Sequence, residues 1–174
     1  MKMILRKPPF AENELLFVYG TLLSGLSNHH HMQGASCLGP AVIQGALFDL
    51  GEYPALLVAG PLAEPLGPVH GELYKIDAAH WHHLDVLEEL DPESIENSMY
   101  LRKTAEVMWL ASERSQALHA QVYVYNWSLE GRRRIENGDF RRHVSDKKPE
   151  LYSGKTKSPR KECDSAVVMR TSTI

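Results

Sequence analysis

The sequence predicts an α+β fold, a small mixed β-barrel with flanking helices. Three observations point there. Strand-like runs dominate the chain and are not separated by regular helices, which argues against a doubly wound α/β sheet. One amphipathic helical stretch lies mid-chain, over residues 78–90. The first strand, Leu15-Leu16-Phe17-Val18-Tyr19, is apolar throughout. A strand without alternation is one buried on both faces, as in a barrel or a central strand.

The elements follow in order. The first strand runs into a tight turn at Gly20-Thr21. A polar stretch over residues 24–33 reads as a loop entering a short helix. Residues 41–50 form a second strand, in which Gly45 signals a bulge or sharp bend. Residues 53–58 follow a glycine turn as a short third strand, and residues 60–68, rich in Pro and Gly, read as loop. Residues 69–76 alternate as a half-buried strand. Asp77 then caps a helix over residues 78–90 that stops before Pro92. Residues 100–110 and 118–127 are two further strands, the second carrying Val122-Tyr123-Val124-Tyr125. The polar, arginine-rich segment 131–143 closes the domain, and its arginines read as a solvated face. No internal repeat is present.

With 174 residues, 43% of them apolar, the chain has the size and composition of one ordinary domain with a tail. Residues 1–14 read as an N-terminal extension and residues 15–143 as the domain. Residues 144–174 carry a net charge of +3, against −6 for the rest of the chain, and read as a flexible basic tail. A partner-binding or membrane-surface tail is the alternative. The net charge of −3 gives no whole-chain case for nucleic-acid binding. No segment reaches the length of a membrane span, and the N-terminal apolar run is too short for a signal peptide. Cys37 and Cys163 stand in no metal or redox spacing and read as free thiols in a reducing compartment, with a single disulfide as the alternative that nothing in the sequence calls for. The expected localisation is cytoplasmic, with no membrane and no nucleic-acid partner.

Two places can do chemistry. The first is Tyr19-Gly20-Thr21-Leu22. A glycine after a buried strand lets a ligand approach main-chain N–H groups, which suit a carboxylate or a developing oxyanion. Four residues alone favour a plain strand-end turn. The second is the helix, whose apolar stripe is Trp81, Leu84, Leu87 and Leu90. Glu88 shares that stripe, four residues after Leu84, whereas Glu89 falls on a more polar face. A carboxylate turned inward is desolvated, and its pKa rises toward the range of a general acid or base. A glutamate at the stripe's edge that reaches water is the competing reading, and the pattern does not choose. The runs His29-His30-His31 and His80, His82, His83 hold no His-Glu-x-x-His pattern, so no metal site is expected.

These pieces together resemble the γ-glutamylcyclotransferase-like superfamily, in its γ-glutamylamine cyclotransferase and AIG2-like branch. The resemblance rests on Phe17-Val18-Tyr19-Gly20-Thr21-Leu22, Asn28-His29-His30, Tyr53-Pro54-Ala55-Leu56 and Val69-His70-Gly71-Glu72-Leu73-Tyr74. It continues through Leu84-Asp85-Val86-Leu87-Glu88, Tyr100-Leu101-Arg102, Tyr123-Val124-Tyr125 and Gly138-Asp139-Phe140-Arg141. Each piece is short, and their shared order across residues 15–143 is the specific signal.

The resemblance implies a barrel of five or six strands and a reaction without cofactor. A small γ-glutamyl substrate attacks its own γ-carbonyl through its α-amine, releasing 5-oxoproline and a free amine or amino acid. Glu88 matches the family's catalytic glutamate, and Tyr19, Gly20, Thr21 and Leu22 match its substrate loop. Tyr100 and Tyr125 are expected on the cavity wall, with Arg102 either there or paired with a surface acid. Many relatives have glycine after the glutamate, where this chain has Glu89. Two rival readings share the barrel: a metabolite-binding or interaction module without turnover, and an amide or peptide hydrolase using water. The substrate's leaving group is not named by the sequence, and the assembly is either monomer or homodimer.

Overall fold

The computed structural model describes residues 14–58, 65–110 and 115–147. Strand β1 is Leu15–Val18, buried along its whole length. Leu15 and Phe17 enter one hydrophobic cluster, while Leu16 and Val18 enter another on the opposite face. The two-sided burial expected from its unbroken apolar run is met.

The other strands are β2 (Ser36–Asp49), β3 (Pro54–Val58), β4 (Gly67–Lys75), β5 (Tyr100–Leu110), β6 (Ser115–Tyr125) and the short β7 (Arg133–Arg134). Strand β2 pairs with β4, β4 with β1, β1 with β6 and β6 with β5, and β5 returns to β2. Five strands thus close a barrel. The β1–β6 contact is parallel and the rest are antiparallel, so the barrel is mixed. Closure removes free edges from these five strands. The far end of β2 leaves the ring and carries β3 and β7.

The barrel interior is filled by alternate residues of each strand: Phe17 from β1, Ile43 from β2, Leu73 from β4, Val107 from β5 and Val122 from β6. Helix α2 (Phe140–Asp146) begins within the segment expected to be polar and solvated. Its Phe140 is 2% exposed and joins the interior cluster. Burying a ring of that size contributes on the order of 2–3 kcal/mol, which fixes α2 to the barrel. The helix crosses the expected boundary at residue 143, and the rest of the expected tail, 148–174, lies outside the described residues.

Three further expectations change. Gly45 carries no register shift, and the irregularity in β2 falls between Cys37 and Gly39. A Cβ at Gly45 would stand 2.6 Å from the Leu57 carbonyl oxygen, so glycine here serves the close approach of β3. Cys37 is not a free thiol, and Cys163 lies outside the described residues. The last strand begins three residues earlier than expected, at Ser115, and ends at Tyr125. Among the described residues, no helix is long and apolar enough to cross a membrane.

Candidate active site

Helix α1 is Ala78–Leu87, three residues shorter than the sequence pattern suggests. Asp77 caps it as expected, its carboxylate accepting from Ala79 N–H at 3.0 Å and His80 N–H at 3.2 Å. The helix ends in a Schellman motif. The Glu89 N–H donates to Val86 O at 3.2 Å, and the Leu90 N–H donates to Asp85 O at 2.9 Å. Glu89 therefore occupies the left-handed position, φ 52°, that glycine usually fills. The stop was hidden because the sequence places a glutamate there. This geometry also accounts for the glycine expected after the family's glutamate.

Glu88 is the C-cap residue. It lines a cavity of about 120 Å³ together with Tyr19, Gly20, Thr21, Leu22 and Tyr100. No hydrogen-bond donor among the described residues reaches its side chain, and it is not among buried polar groups left without a partner. Its carboxyl thus opens to the cavity. Burial alone raises its pKa from 4.5 to about 7.

The opposite wall is the turn after β1. Leu23 N–H donates to Gly20 O at 3.0 Å, closing the turn. The N–H groups of Gly20, Thr21 and Leu22 have no protein acceptor among the described residues. They are free to donate to a ligand. A Cβ at Gly20 would lie 2.9 Å from ring carbons of Pro54, so glycine lets the start of β3 close against the turn. Asn28 Nδ2 donates to Thr21 Oγ1 at 3.1 Å, and Asn28 N–H to Thr21 O at 3.0 Å, bracing the loop.

Three tyrosines shape the chamber. Tyr19 donates to Tyr123 O at 2.7 Å, Tyr100 to Pro54 O at 2.8 Å, and Tyr123 to Asp85 Oδ1 at 2.6 Å. Burial pushes all three phenols well above their usual pKa, so they remain neutral. Tyr125, expected on the cavity wall, stands behind it instead, edge-on to Tyr100 with ring centroids 5.4 Å apart. Arg102 is also outside the cavity lining. It pairs with Asp85 at 3.0 Å and lies over the Trp81 ring at 4.6 Å.

Cavity residues to which the sequence reading assigned no role are Asn28, Tyr53, Pro54, Met99 and Tyr123. All but Met99 lie in the runs that carry the resemblance, so the signal was there without a role attached. The histidines work as loop hardware. His29 Nδ1 meets Leu22 O at 2.9 Å, His83 Nε2 meets His31 O at 2.9 Å, and His80 Nε2 meets Gln33 O at 3.1 Å. Among the described residues, no group of three or more His, Cys, Asp or Glu is placed to hold a metal.

A carboxyl and a row of backbone N–H groups, all without a protein partner among the described residues, line one small cavity of a closed mixed barrel, and the comparisons with known proteins give the class: a protein of the cyclotransferase type. The profile described as "Gamma-glutamyl cyclotransferase, AIG2-like" matches residues 16–142, and the chain belongs to that family. A Vibrio cholerae protein, provisionally named a gamma-glutamylcyclotransferase, is 34% identical over 132 residues, 75% of this chain and 97% of that one. A Niallia circulans protein named gamma-L-glutamyl-butirosin B gamma-glutamyl cyclotransferase is 42% identical over 76 residues, 42% of this chain and 45% of that one. The crystal structure of an AIG2-like protein from Mus musculus matches with a TM-score of 0.55 and 26% identity. That match covers 69% of this chain and 82% of the mouse chain.

Proposed function

We propose that the protein cyclises a γ-glutamyl compound, releasing 5-oxoproline and an amine, with Glu88 as general base and then general acid. The observation that carries the reading is the placement of Glu88. Among the described residues its carboxyl has no protein partner, and it shares a cavity with the unpaired N–H groups of Gly20, Thr21 and Leu22.

The steps follow from that geometry. The substrate's α-amine is a nucleophile only when unprotonated, so the Glu88 carboxylate takes its proton. The amine nitrogen then bonds to the γ-carbonyl carbon of the same molecule, and the carbonyl oxygen becomes an oxyanion. The turn's N–H groups donate to that oxyanion or to the substrate's α-carboxylate. The protonated Glu88 returns its proton to the leaving nitrogen, and the bond from that nitrogen to the carbonyl carbon breaks. The ring nitrogen, cationic since its attack, gives its extra proton to the regenerated Glu88 carboxylate, which passes it to the departing amine, and the lactam ring is complete. Holding both reacting groups in one bound molecule makes the proximity effect large. A pKa of about 7 lets one carboxyl serve both steps near neutral pH. The name of the Niallia relative specifies a γ-glutamyl compound, which supports the same reaction class.

The open cavity and accessible Glu88 favour turnover over a purely binding module. The test is incubation with a panel of γ-glutamyl amino acids and γ-glutamyl amines, following 5-oxoproline by mass, with Glu88→Gln as control. Release by the wild type that collapses by about 10²-fold or more in the variant is the expected result. Release of glutamate instead of 5-oxoproline would point to hydrolysis by water. No release from any panel member would leave the binding module as the better account.

A further inference from the structure

In the last turn of α1, Leu84–Leu87, Asp85 is the only polar side chain. Its carboxylate is spent on the barrel. It accepts from the Tyr123 hydroxyl at 2.6 Å and from Arg102 Nη1, at 3.1 Å to Oδ1 and 3.0 Å to Oδ2. Arg102 on β5 and Tyr123 on β6 are register partners, so their side chains stand on one face of the sheet. Arg102 also covers the ring of Trp81, one helical turn before Asp85. Tyr123 reaches further still. Its carbonyl oxygen accepts from the Tyr19 hydroxyl at 2.7 Å, and Tyr19 leads into the turn that carries the unpaired N–H groups. One carboxylate thus ties the end of the helix to β5 and β6 and, through Tyr123, to the approach of that turn.

Asp85 shapes the helix end from its main chain as well. Its carbonyl accepts the Leu90 N–H, the bond that closes the Schellman motif around Glu88 and Glu89. Helix ends fray, and a C-cap residue whose own side chain meets no donor does nothing to fix itself. The histidine ties of α1, His80 to Gln33 O and His83 to His31 O, lie nearer its start. The Met99 N–H donates to Glu89 O at 3.2 Å, which holds the chain past Glu88 and not the helical turn before it.

Resting on the cyclotransferase reading, we propose that Asp85 is a positioning residue for Glu88. Its bonds to Tyr123 and Arg102 hold the end of α1 so that the Glu88 carboxyl stays at the cavity wall, across from the N–H groups of Gly20, Thr21 and Leu22. Neither Asp85 nor Arg102 lines the cavity, so both act through the helix end and not on the substrate. The titratable groups that share the cavity with Glu88 are Tyr19, Tyr53, Glu89, Tyr100 and Tyr123. Burial alone raises the Glu88 pKa to about 7, so a loosened helix end that admits water lowers it toward 4.5.

The test compares Asp85→Asn with Asp85→Ala. Both remove the same charge, and only alanine removes the acceptor that Tyr123 and Arg102 use. Turnover of a γ-glutamyl amide is measured across pH. The Glu88 carboxyl is also titrated directly, without substrate, by NMR of protein carrying isotope-labelled glutamate, its signal identified by its loss in Glu88→Gln. In Asp85→Ala, kcat is expected to fall about 10- to 100-fold with little change in KM. The acidic limb and the Glu88 titration both move down by at least about half a pH unit. Asp85→Asn stays close to wild type in every readout. Tyr123→Phe removes one bond to Asp85 and no charge at neutral pH; it moves the substrate-free titration downward too, and decides the matter if Asp85→Ala does not fold. Equal titrations in Asp85→Asn and Asp85→Ala, an unmoved titration in Tyr123→Phe, or a fall in kcat without any shift overturns the proposal. So does a wild-type Glu88 that titrates near 4.5. If no amide turns over, the cyclotransferase reading fails, and the substrate-free titration still decides what Asp85 does.

Discussion

Glu72 on β4 and Glu88 at the end of α1 are two carboxylates withdrawn from bulk water, and their surroundings are opposite. Glu72 is 9% exposed and fully partnered. It accepts from Ser24 N–H at 2.9 Å, from the Tyr74 hydroxyl at 2.9 Å and from Arg141 at 2.7 Å. Arg141 also donates to Ser24 O at 3.0 Å, so the pair clamps the loop that follows the turn after β1. Glu88 faces the cavity with no donor among the described residues. Desolvation acts on both, and what separates them is compensation. Where donors and a cation surround the group it holds structure. Where nothing does, the proton is retained to near neutral pH and becomes available for transfer.

The largest effect that separates the two sites is on turnover. Activity that depends on Glu88 as a base requires the ionised form, so kcat/KM for a γ-glutamyl amide is expected to rise through about pH 7 and level above it. A pH–rate profile checks this, and a flat profile between pH 6 and 8 would remove Glu88 from the role of base. Glu72→Gln is expected to leave that limb in place while raising KM. The amide nitrogen would face a donor, loosening Ser24 and the turn before it.

Stability separates them next. Removing either partner of the clamp strands the other, and the loss is tempered because Arg141 is partly exposed, at 45% of its side chain. Glu72→Ala is expected to destabilise the fold by about 2–3 kcal/mol, read from urea unfolding. Glu88 works the other way. Its folded pKa of about 7 lies above the unfolded 4.5. The folded chain therefore binds the extra proton between those values. That contribution is fully present below pH 4.5 and is lost as pH rises through 7. Glu88→Gln removes the penalty, so the variant is expected to exceed wild type by roughly 2 kcal/mol at pH 8 and to match it at pH 4. The figure is kept below the full shift because the carboxyl opens into the cavity. Equal stability at both pH values would place Glu88 in a solvated setting.

The barrel was legible from the sequence because its strands follow burial patterns that read locally. Residues 15–18 are buried on both faces, and β5 begins and ends at Tyr100 and Leu110 as its pattern suggests. The site was legible in its parts, since Glu88 and the turn after Tyr19 both stand in recognisable runs. What did not read locally depends on distant partners. Phe140 sits in a segment crowded with arginines, and only the barrel interior explains its burial. Tyr123 and Tyr125 look alike in the sequence and share one face of β6, but only Tyr123 lines the cavity, while Tyr125, two residues further along, packs edge-on against Tyr100. Glu72 reads as a strand acid until Ser24 and Arg141, 48 and 69 residues away, are brought against it.

The smallest expected effect lies one residue past Glu88. Glu89 holds φ 52° at the position where the helix closes on itself. A side chain in the left-handed region costs about 1 kcal/mol relative to glycine, partly offset by glycine's greater freedom in the unfolded chain. Glu89→Gly is expected to raise stability by about 0.5 kcal/mol, and Glu89→Val to lower it by about 1 kcal/mol, since a β-branched residue fits that conformation worst. Thermal melts of the two variants check the order. The pair also sharpens the comparison between the two carboxylates, because Glu89 lines the same cavity as Glu88. If Glu89→Gly shifts the acidic limb of the pH–rate profile downward, the second carboxylate contributes to holding the Glu88 proton. An unchanged limb leaves desolvation as the sole cause, which is what the geometry around Glu88 predicts.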